Sequence, residues 1–302
     1  VVGCEHVLIL AGDHLYRMDY APMVAYHIEK GADITVAAQP VAKDEADRFG
    51  LLKRNPDGRI ATFVEKPKTP EAQAAMISRD DPDRPFLGSM GIYLFKTDVL
   101  VDLLTRHADF DDFGHHVIPH SIGRMGVYGF DFDGYWQDIG TIRSFYDVNL
   151  ELTRSDAPFN LYDSQHPIYT HSRFLPGSIC NDSRLKDVLL TEGCVVEQAE
   201  ITHSIVGLRS HIGRGTFIKD SIIMGADYYQ RRASAIPLGI GPNCHIEGAI
   251  LDKNVCIGPN VVIKPFPRGT EMDAGDFVVQ DGIVVIPKNT VLPEGTKIGP
   301  EF

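Results

Sequence analysis

No apolar run in this 302-residue chain approaches the roughly 20 residues that a membrane-spanning helix needs, so no spanning segment is expected. Basic charge is also in short supply. The 29 Lys and Arg against 41 Asp and Glu leave a formal net charge of −12, which argues against a general nucleic-acid binder but not against local basic pockets. Cysteine is scarce: Cys4, Cys180, Cys194, Cys244 and Cys256 are scattered, odd in number and without a C-x-x-C pair. That pattern reads as a reduced intracellular protein with no structural zinc. The His115-His116 pair has no acidic or thiol partner at ligand spacing and reads as surface loop. An initiating Met is missing too. The chain opens on Val1 and runs almost at once into a strand pattern, which reads as the carboxyl part of a longer protein.

What is present falls into two kinds of pattern. The hydrophobic content of 43% supports a sizeable core, and the length suggests about two domains. In residues 1–158, strand-like runs alternate with helical patterns, as in an α/β layered domain. The run Val7-Leu8-Ile9-Leu10 has no polar alternation, as expected of a strand covered on both faces in a parallel sheet. Further strands are read in "ADITVAAQPV", "IATFVEKP" (stopped by Pro67) and "GSMGIYLF". Helices are read in "YAPMVAYHIEKG", closed by Gly31, from Thr97 to Thr105, and in "SFYDVNLELT". In the last of these Phe145, Val148, Leu150 and Leu152 mark the apolar face.

From Pro176 onward, aliphatic residues return at every sixth position: Val206, Ile212, Ile218 and Met224, then Ile240 and Ile246, then Ile257 and Ile263. Six-residue periodicity with recurring glycine is the signature of a parallel β-helix, in which each repeat aims one aliphatic side chain into a narrow core. A β-sandwich with chance spacing would have to produce three such sets in register. The segment Ala226–Gly239 breaks the period and is expected to loop out of a coil. Gly239-Ile240-Gly241 is read as a structural turn rather than a nucleotide loop. Residues 159–175, rich in Pro, Ser, Asp and aromatics, read as an ordered linker. The expected domains are therefore 1–158, 159–175 and 176–302.

Four residues stand at strand ends in the first half: Asp13 after Leu10-Ala11-Gly12, Glu65 and Lys66 before Pro67, and Asp138 in "GYWQDIGT". In α/β sheets, ligands bind beyond such ends. Each residue alone has an ordinary explanation; Asp138, for instance, could help cap the helix that Thr141 starts. Together they describe a site for a phosphorylated substrate. Two aspartates suit a magnesium ion, which takes oxygen ligands and bridges to substrate phosphates. The lysine is a point charge for a phosphate, and the glutamate beside it accepts hydrogen bonds from sugar hydroxyls.

The stretches "AGDHLYRMDY", "ADITVAA", "FGLL", "FVEKP", "SMGIYLF", "DFG", "YWQDIGT", "HSIVGLRS", "DSIIMGADYY", "IGPNCHIEGAILDKN" and "QDGIVVIPK" cover nearly the whole chain. By them the chain resembles the ADP-glucose pyrophosphorylases (glucose-1-phosphate adenylyltransferases), and its second half is similar to the plant and cyanobacterial branch. The resemblance implies an α/β Rossmann-like nucleotidyltransferase domain, truncated at its amino terminus, followed by a left-handed parallel β-helix. It implies transfer of the adenylyl group of ATP to α-D-glucose 1-phosphate with Mg²⁺, giving ADP-glucose and pyrophosphate for glycogen or starch synthesis.

Carried over by motif, Asp13 is the catalytic aspartate and a metal ligand, and Asp138 completes the metal site. Lys66 holds the sugar phosphate, Glu65 the glucose hydroxyls, and Ser89 lines the sugar pocket. Arg173, Lys253 and Lys288 would form an allosteric anion site for a phosphorylated effector such as 3-phosphoglycerate or phosphate. A homo- or heterotetramer in a bacterial cytoplasm, or alternatively a plastid stroma, follows from the same resemblance, with no nucleic-acid or membrane partner. One departure is clear: the glycine-rich ATP loop with which the family begins is not in this sequence. Alternatives are a nucleotidyltransferase for another base, a non-catalytic regulatory subunit, and a hexapeptide acyltransferase, for which His203, His211 and His245 have no supporting motif.

Overall fold

The computed structural model describes residues 3–229 and 235–302. It divides into two compact units, the first ending at Trp136 and the second running from Gln137 to Phe302.

The first unit is built on a mixed sheet. Its elements in order are β1 (His6–Ile9), β2 (His14–Tyr16), α1 (Ala21–Glu29), β3 (Ile34–Val41), β4 (Leu51–Arg54), β5 (Ile60–Val64), α2 (Pro70–Ala74), β6 (Phe86–Lys96), α3 (Thr97–Arg106), a π-helical turn (Phe113–Val117), α4 (Ile118–Ser121) and β7 (Val127–Asp131). The strand order is β5-β4-β6-β3-β7, with β1 also on β6. The long strand β6 organises the sheet, because β1, β3 and β4 all pair with it antiparallel, while β3 and β7 are parallel. The parallel setting expected for the first apolar run is thus corrected: β1 is antiparallel to its neighbour and half-buried. Its unbroken apolarity still has the expected cause. Val7 and Ile9 pack into one core layer and Leu8 into the other, on opposite sheet faces. Alternate residues of β3 and β6 supply both layers: Ile34, Val36, Tyr93 and Phe95 meet α3, and Ala37, Ile92 and Leu94 share the other face with Met23 of α1. His115 and His116 are exposed, but they stand on the π-helical turn, which Asp112 caps, and not on a loop.

The second unit is a parallel β-helix preceded by β8 (Trp136–Asp138), which straddles the boundary, and by α5 (Ile142–Glu151). Three ladders run through it. One stacks Cys180, Val196, Ile212, Ile240, Ile257 and Leu292. The second stacks Leu185, Ile201, Ile218, Ile246, Ile263 and Ile298. The third stacks Leu190, Val206, Ile223, Leu251 and Ile286. Neighbours such as Val196 and Ile212, or Ile240 and Ile257, are one coil apart in sequence. The long step from Ile212 to Ile240 accommodates the expected excursion, of which residues 230–234 lie outside the described residues. A second long step, from Ile257 to Leu292, holds an antiparallel hairpin (Met272–Asp273 with Val278–Gln280) that the hexapeptide period did not reveal. Free thiols of Cys194 and Cys244 point to carbonyls within the coils.

Helix α5 starts in a Thr141–Ser144 capping box and packs on the β-helix. Tyr146 and Leu150 join Ile222, Ile250 and Ile283, Tyr146 donates to the Asp220 carbonyl at 2.5 Å, and Arg143 bonds Asp281 at 2.7 Å. The helix assigned by pattern to the first domain is therefore packed with the second unit.

Candidate functional site

Asp13 stands between β1 and β2, with its side chain 69% exposed. Its neighbour His14 fixes this loop against β6, because the His14 ring meets the Met90 carbonyl at 3.0 Å and stands edge-on to Trp136. The carboxylate is thus delivered to solvent beside the stretch of β6 that carries Ser89.

Glu65 and Lys66 directly follow β5, and the backbone separates them. Lys66 has φ of +45°, a left-handed conformation that costs a non-glycine residue about 1 kcal/mol or more. Its N–H is held by the Phe49 carbonyl at 3.2 Å. The turn leaves the Lys66 side chain 53% exposed and Glu65 only 15% exposed, with their charged ends 3.8 Å apart. Burial raises the Glu65 carboxyl above its ordinary range, Lys66 pulls it back, and Asp112 pushes it further up.

Two glycines make the notch that holds this carboxylate. A Cβ at Gly50 would lie 2.5 Å from Glu65 Oε2, and one at Gly114 would lie 2.8 Å from Glu65 Cδ. Gly114 belongs to the π-helical turn, so a tertiary contact between β4, β5 and that turn creates the site.

Ser89 lies on the same face of β6 as Tyr93. Its hydroxyl is 3.5 Å from the Tyr93 hydroxyl, and its N–H is held by Gly50 at 2.7 Å. Burial, opposed by Ser89 and reinforced by Glu65 and Asp112, pushes the Tyr93 phenol up to about 12, so it stays a hydrogen-bonding alcohol at neutral pH. Phe113 stacks on Tyr93 at 5.5 Å. The structure therefore gathers Glu65, Lys66 and Ser89 around Tyr93, Asp112 and Phe113. The last three were missed as site residues, although "SMGIYLF" and "DFG" were among the stretches that carried the resemblance.

Asp138 lies in the second unit, where its Oδ1 accepts the Gly140 N–H at 2.8 Å. Among the described residues no group of three or more His, Cys, Asp or Glu side chains could hold a metal ion alone. A solvent-facing aspartate such as Asp13 nonetheless fits magnesium, which keeps several waters and binds through one or two carboxylates plus substrate phosphates.

The candidate effector cations are Lys253, Lys288 and Arg173. Lys253 and Lys288 converge: their ammonium groups are each 3.1 Å from opposite oxygens of the Asp227 carboxylate. Arg173 lines a groove of about 850 Å³ with Thr170, Phe174, Leu190, Glu192 and Leu208.

An α/β unit with a glutamate set in a glycine notch beside an exposed lysine, followed in the chain by a β-helix, defines a class. The profile of the nucleotidyl transferase family matches residues 2–155, and the chain belongs to that family. The profile of the GLGC left-handed parallel β-helix domain matches residues 173–297, which gives the coils their hand. The chain is also 44% identical to the glucose-1-phosphate adenylyltransferase small subunit, chloroplastic/amyloplastic, of Triticum aestivum. That alignment spans 312 residues and covers 96% of this chain and 66% of the relative, so the chain spans slightly less than two thirds of the relative's length.

Proposed function

We propose that this chain is part of a glucose-1-phosphate adenylyltransferase, which transfers the adenylyl group of ATP to α-D-glucose 1-phosphate and releases pyrophosphate. The observation that carries the reading is the divided pair at the end of β5, with Glu65 held in a glycine notch and Lys66 turned out to solvent. A sugar phosphate needs both: a carboxylate to accept ring hydroxyls, and a cation for the phosphate. Ser89 and Tyr93 line the sugar side, and Lys66 orients the phosphate oxygen for in-line attack on the α-phosphorus. Catalysis of this kind is mostly positioning and charge neutralisation. Asp13 and Asp138 are the residues that would hold Mg²⁺, and the metal, when bound, supplies charge neutralisation at the reacting phosphates.

The same reading makes the Lys253–Lys288 corner an anion site for a phosphorylated effector, 3-phosphoglycerate or phosphate, with Arg173 contributing from its own groove. It places the protein in a homo- or heterotetramer serving starch or glycogen synthesis, in a plastid stroma or a bacterial cytoplasm. The 44% identity to a chloroplastic/amyloplastic small subunit supports the plastid alternative.

The test is calorimetric titration of glucose 1-phosphate into this chain. Lys66→Ala should weaken binding at least about tenfold, with free glucose unaffected by the substitution. Equal affinity of the two proteins for glucose 1-phosphate would remove Lys66 from the site and with it the reading.

A further inference from the structure

Lys253 and Lys288 reach one point because of register. Ile223, Leu251 and Ile286 are stacked partners in successive coils, and the two lysines each lie two residues beyond their ladder position. The backbone continues the stack, since Asn254 N–H bonds the Gly225 carbonyl at 3.0 Å and Asn289 N–H bonds Lys253 at 3.0 Å. Two half-exposed ammonium groups on one corner would repel each other. Asp227 lies between them. Asn254 grips it from both sides, accepting its N–H at 2.8 Å and donating to its Oδ2 at 3.0 Å.

Asp227 does not belong to the strand ladder. It stands at the start of the excursion that follows Met224, where Gly225 passes so close to Gly207 and Leu208 that a Cβ there would lie 2.6 Å from the Gly207 carbonyl carbon. Ala226 is pinned by its N–H to Leu208 at 2.7 Å and by the Arg209 guanidinium on its carbonyl at 3.1 Å. The carboxylate is therefore presented by the first residues of the excursion and not by a strand of the ladder. One carboxylate against two ammonium groups leaves one positive charge uncompensated, and a phosphate dianion in its place would compensate both.

We propose that Asp227 is a built-in counter-anion, which occupies the Lys253–Lys288 site and is displaced when a phosphate-type dianion binds there. This rests on the reading of the two lysines as an anion site, and adds that the site is self-occupied in the absence of ligand. Displacement frees the first residues of the excursion from Lys253, Lys288 and Asn254, so binding is coupled to the arrangement of that loop.

The experiment is titration of inorganic phosphate into this chain at fixed ionic strength near pH 8, followed by ³¹P NMR. Four proteins are compared: the unaltered chain, Asp227→Asn, Lys288→Gln, and the double variant Asp227→Asn with Lys288→Gln. Asp227→Ser serves as a second probe should Asp227→Asn melt early. Asp227→Asn should bind phosphate at least about tenfold more tightly than the unaltered chain, and Lys288→Gln should abolish that gain. If Lys288→Gln weakens binding to the unaltered chain while Asp227→Asn leaves it unchanged or weaker, the anion site stands and the counter-anion is refuted. If all four proteins bind alike, or none binds, the anion-site reading itself fails and the proposal falls with it.

Discussion

Gly114→Ala isolates the notch that holds Glu65. The new Cβ would fall inside contact of Glu65 Oε2 and 2.8 Å from its Cδ, with Asp112 Oδ1 next at 3.4 Å. The atoms in the way are the end of a flexible side chain, so the carboxylate swings out while the backbone of the π-helical turn stays. Gly114 is buried and its φ is not in the left-handed region, so alanine itself is tolerated there. A hydrogen bond to a charged group is worth about 1.5–3 kcal/mol. Losing one such bond between Glu65 and a sugar, the contact proposed above, should weaken glucose 1-phosphate binding by roughly 10- to 100-fold, at about 1.4 kcal/mol per decade. Thermal stability should fall by less than about 1 kcal/mol, because no core contact is lost.

The contrast is Gly50→Ala, whose Cβ would also press 2.9 Å from Phe63 Cε1, a buried ring with no room to leave. That variant should lose stability as well as affinity, because overpacking a core costs about 1–3 kcal/mol. Calorimetric titration and a melting curve on each protein make the comparison. Unchanged affinity in Gly114→Ala would refute the argument that the notch positions Glu65 for the sugar.

Asp13→Asn should leave glucose 1-phosphate binding to this chain within about twofold, yet lower turnover of the proposed adenylyltransferase at least about 100-fold, as expected if Asp13 is the charged metal ligand and catalytic carboxylate proposed above; near-normal kcat would sink the assignment. Acid should destabilise the first unit through His27, which is buried, bonded to Thr35 at 2.8 Å and held down to about 4, mainly by burial and then by His6. The folded pKa lies below the ordinary 6.5, so the unfolded chain takes up the proton first. This contribution is fully present above about pH 6.5 and is lost as pH falls toward 4, amounting to about 2 kcal/mol by pH 5. Urea melts of the unaltered chain and His27→Gln across that range should converge as pH falls, and parallel curves would refute it.

Much of the architecture is written locally. A β-helix coil is so narrow that each side admits one aliphatic residue, so the six-residue spacing of Val206, Ile212 and Ile218 is forced and visible without coordinates. The strand and helix runs of the first unit are likewise set by which side chains must leave water. Tyr146 escaped notice because its burial depends on a partner, the Ile222–Ile250–Ile283 face, far along the chain. Asp13, Glu65 and Lys66 were legible as strand-end residue types, and the roles proposed for them came through resemblance.

Tertiary structure alone decided which of these groups meet and how. The notch around Glu65 exists because Gly50 and Gly114, distant in sequence, both lack a side chain where the π-helical turn meets β5. Strand polarity was decided the same way, since an apolar run covered on both faces reads alike whether its neighbour is parallel or antiparallel, and only pairing with β6 chose. The meeting of Lys253, Lys288 and Asp227 needed a register that survives two long insertions between coils, and an insertion's length says nothing about where its ends are stacked. Sequence by itself determined the two-part build and the residue types of the site, because both follow from local periodicity and burial. The fold determined their convergence, because hydrogen-bond register and close backbone approach are properties of segments in contact.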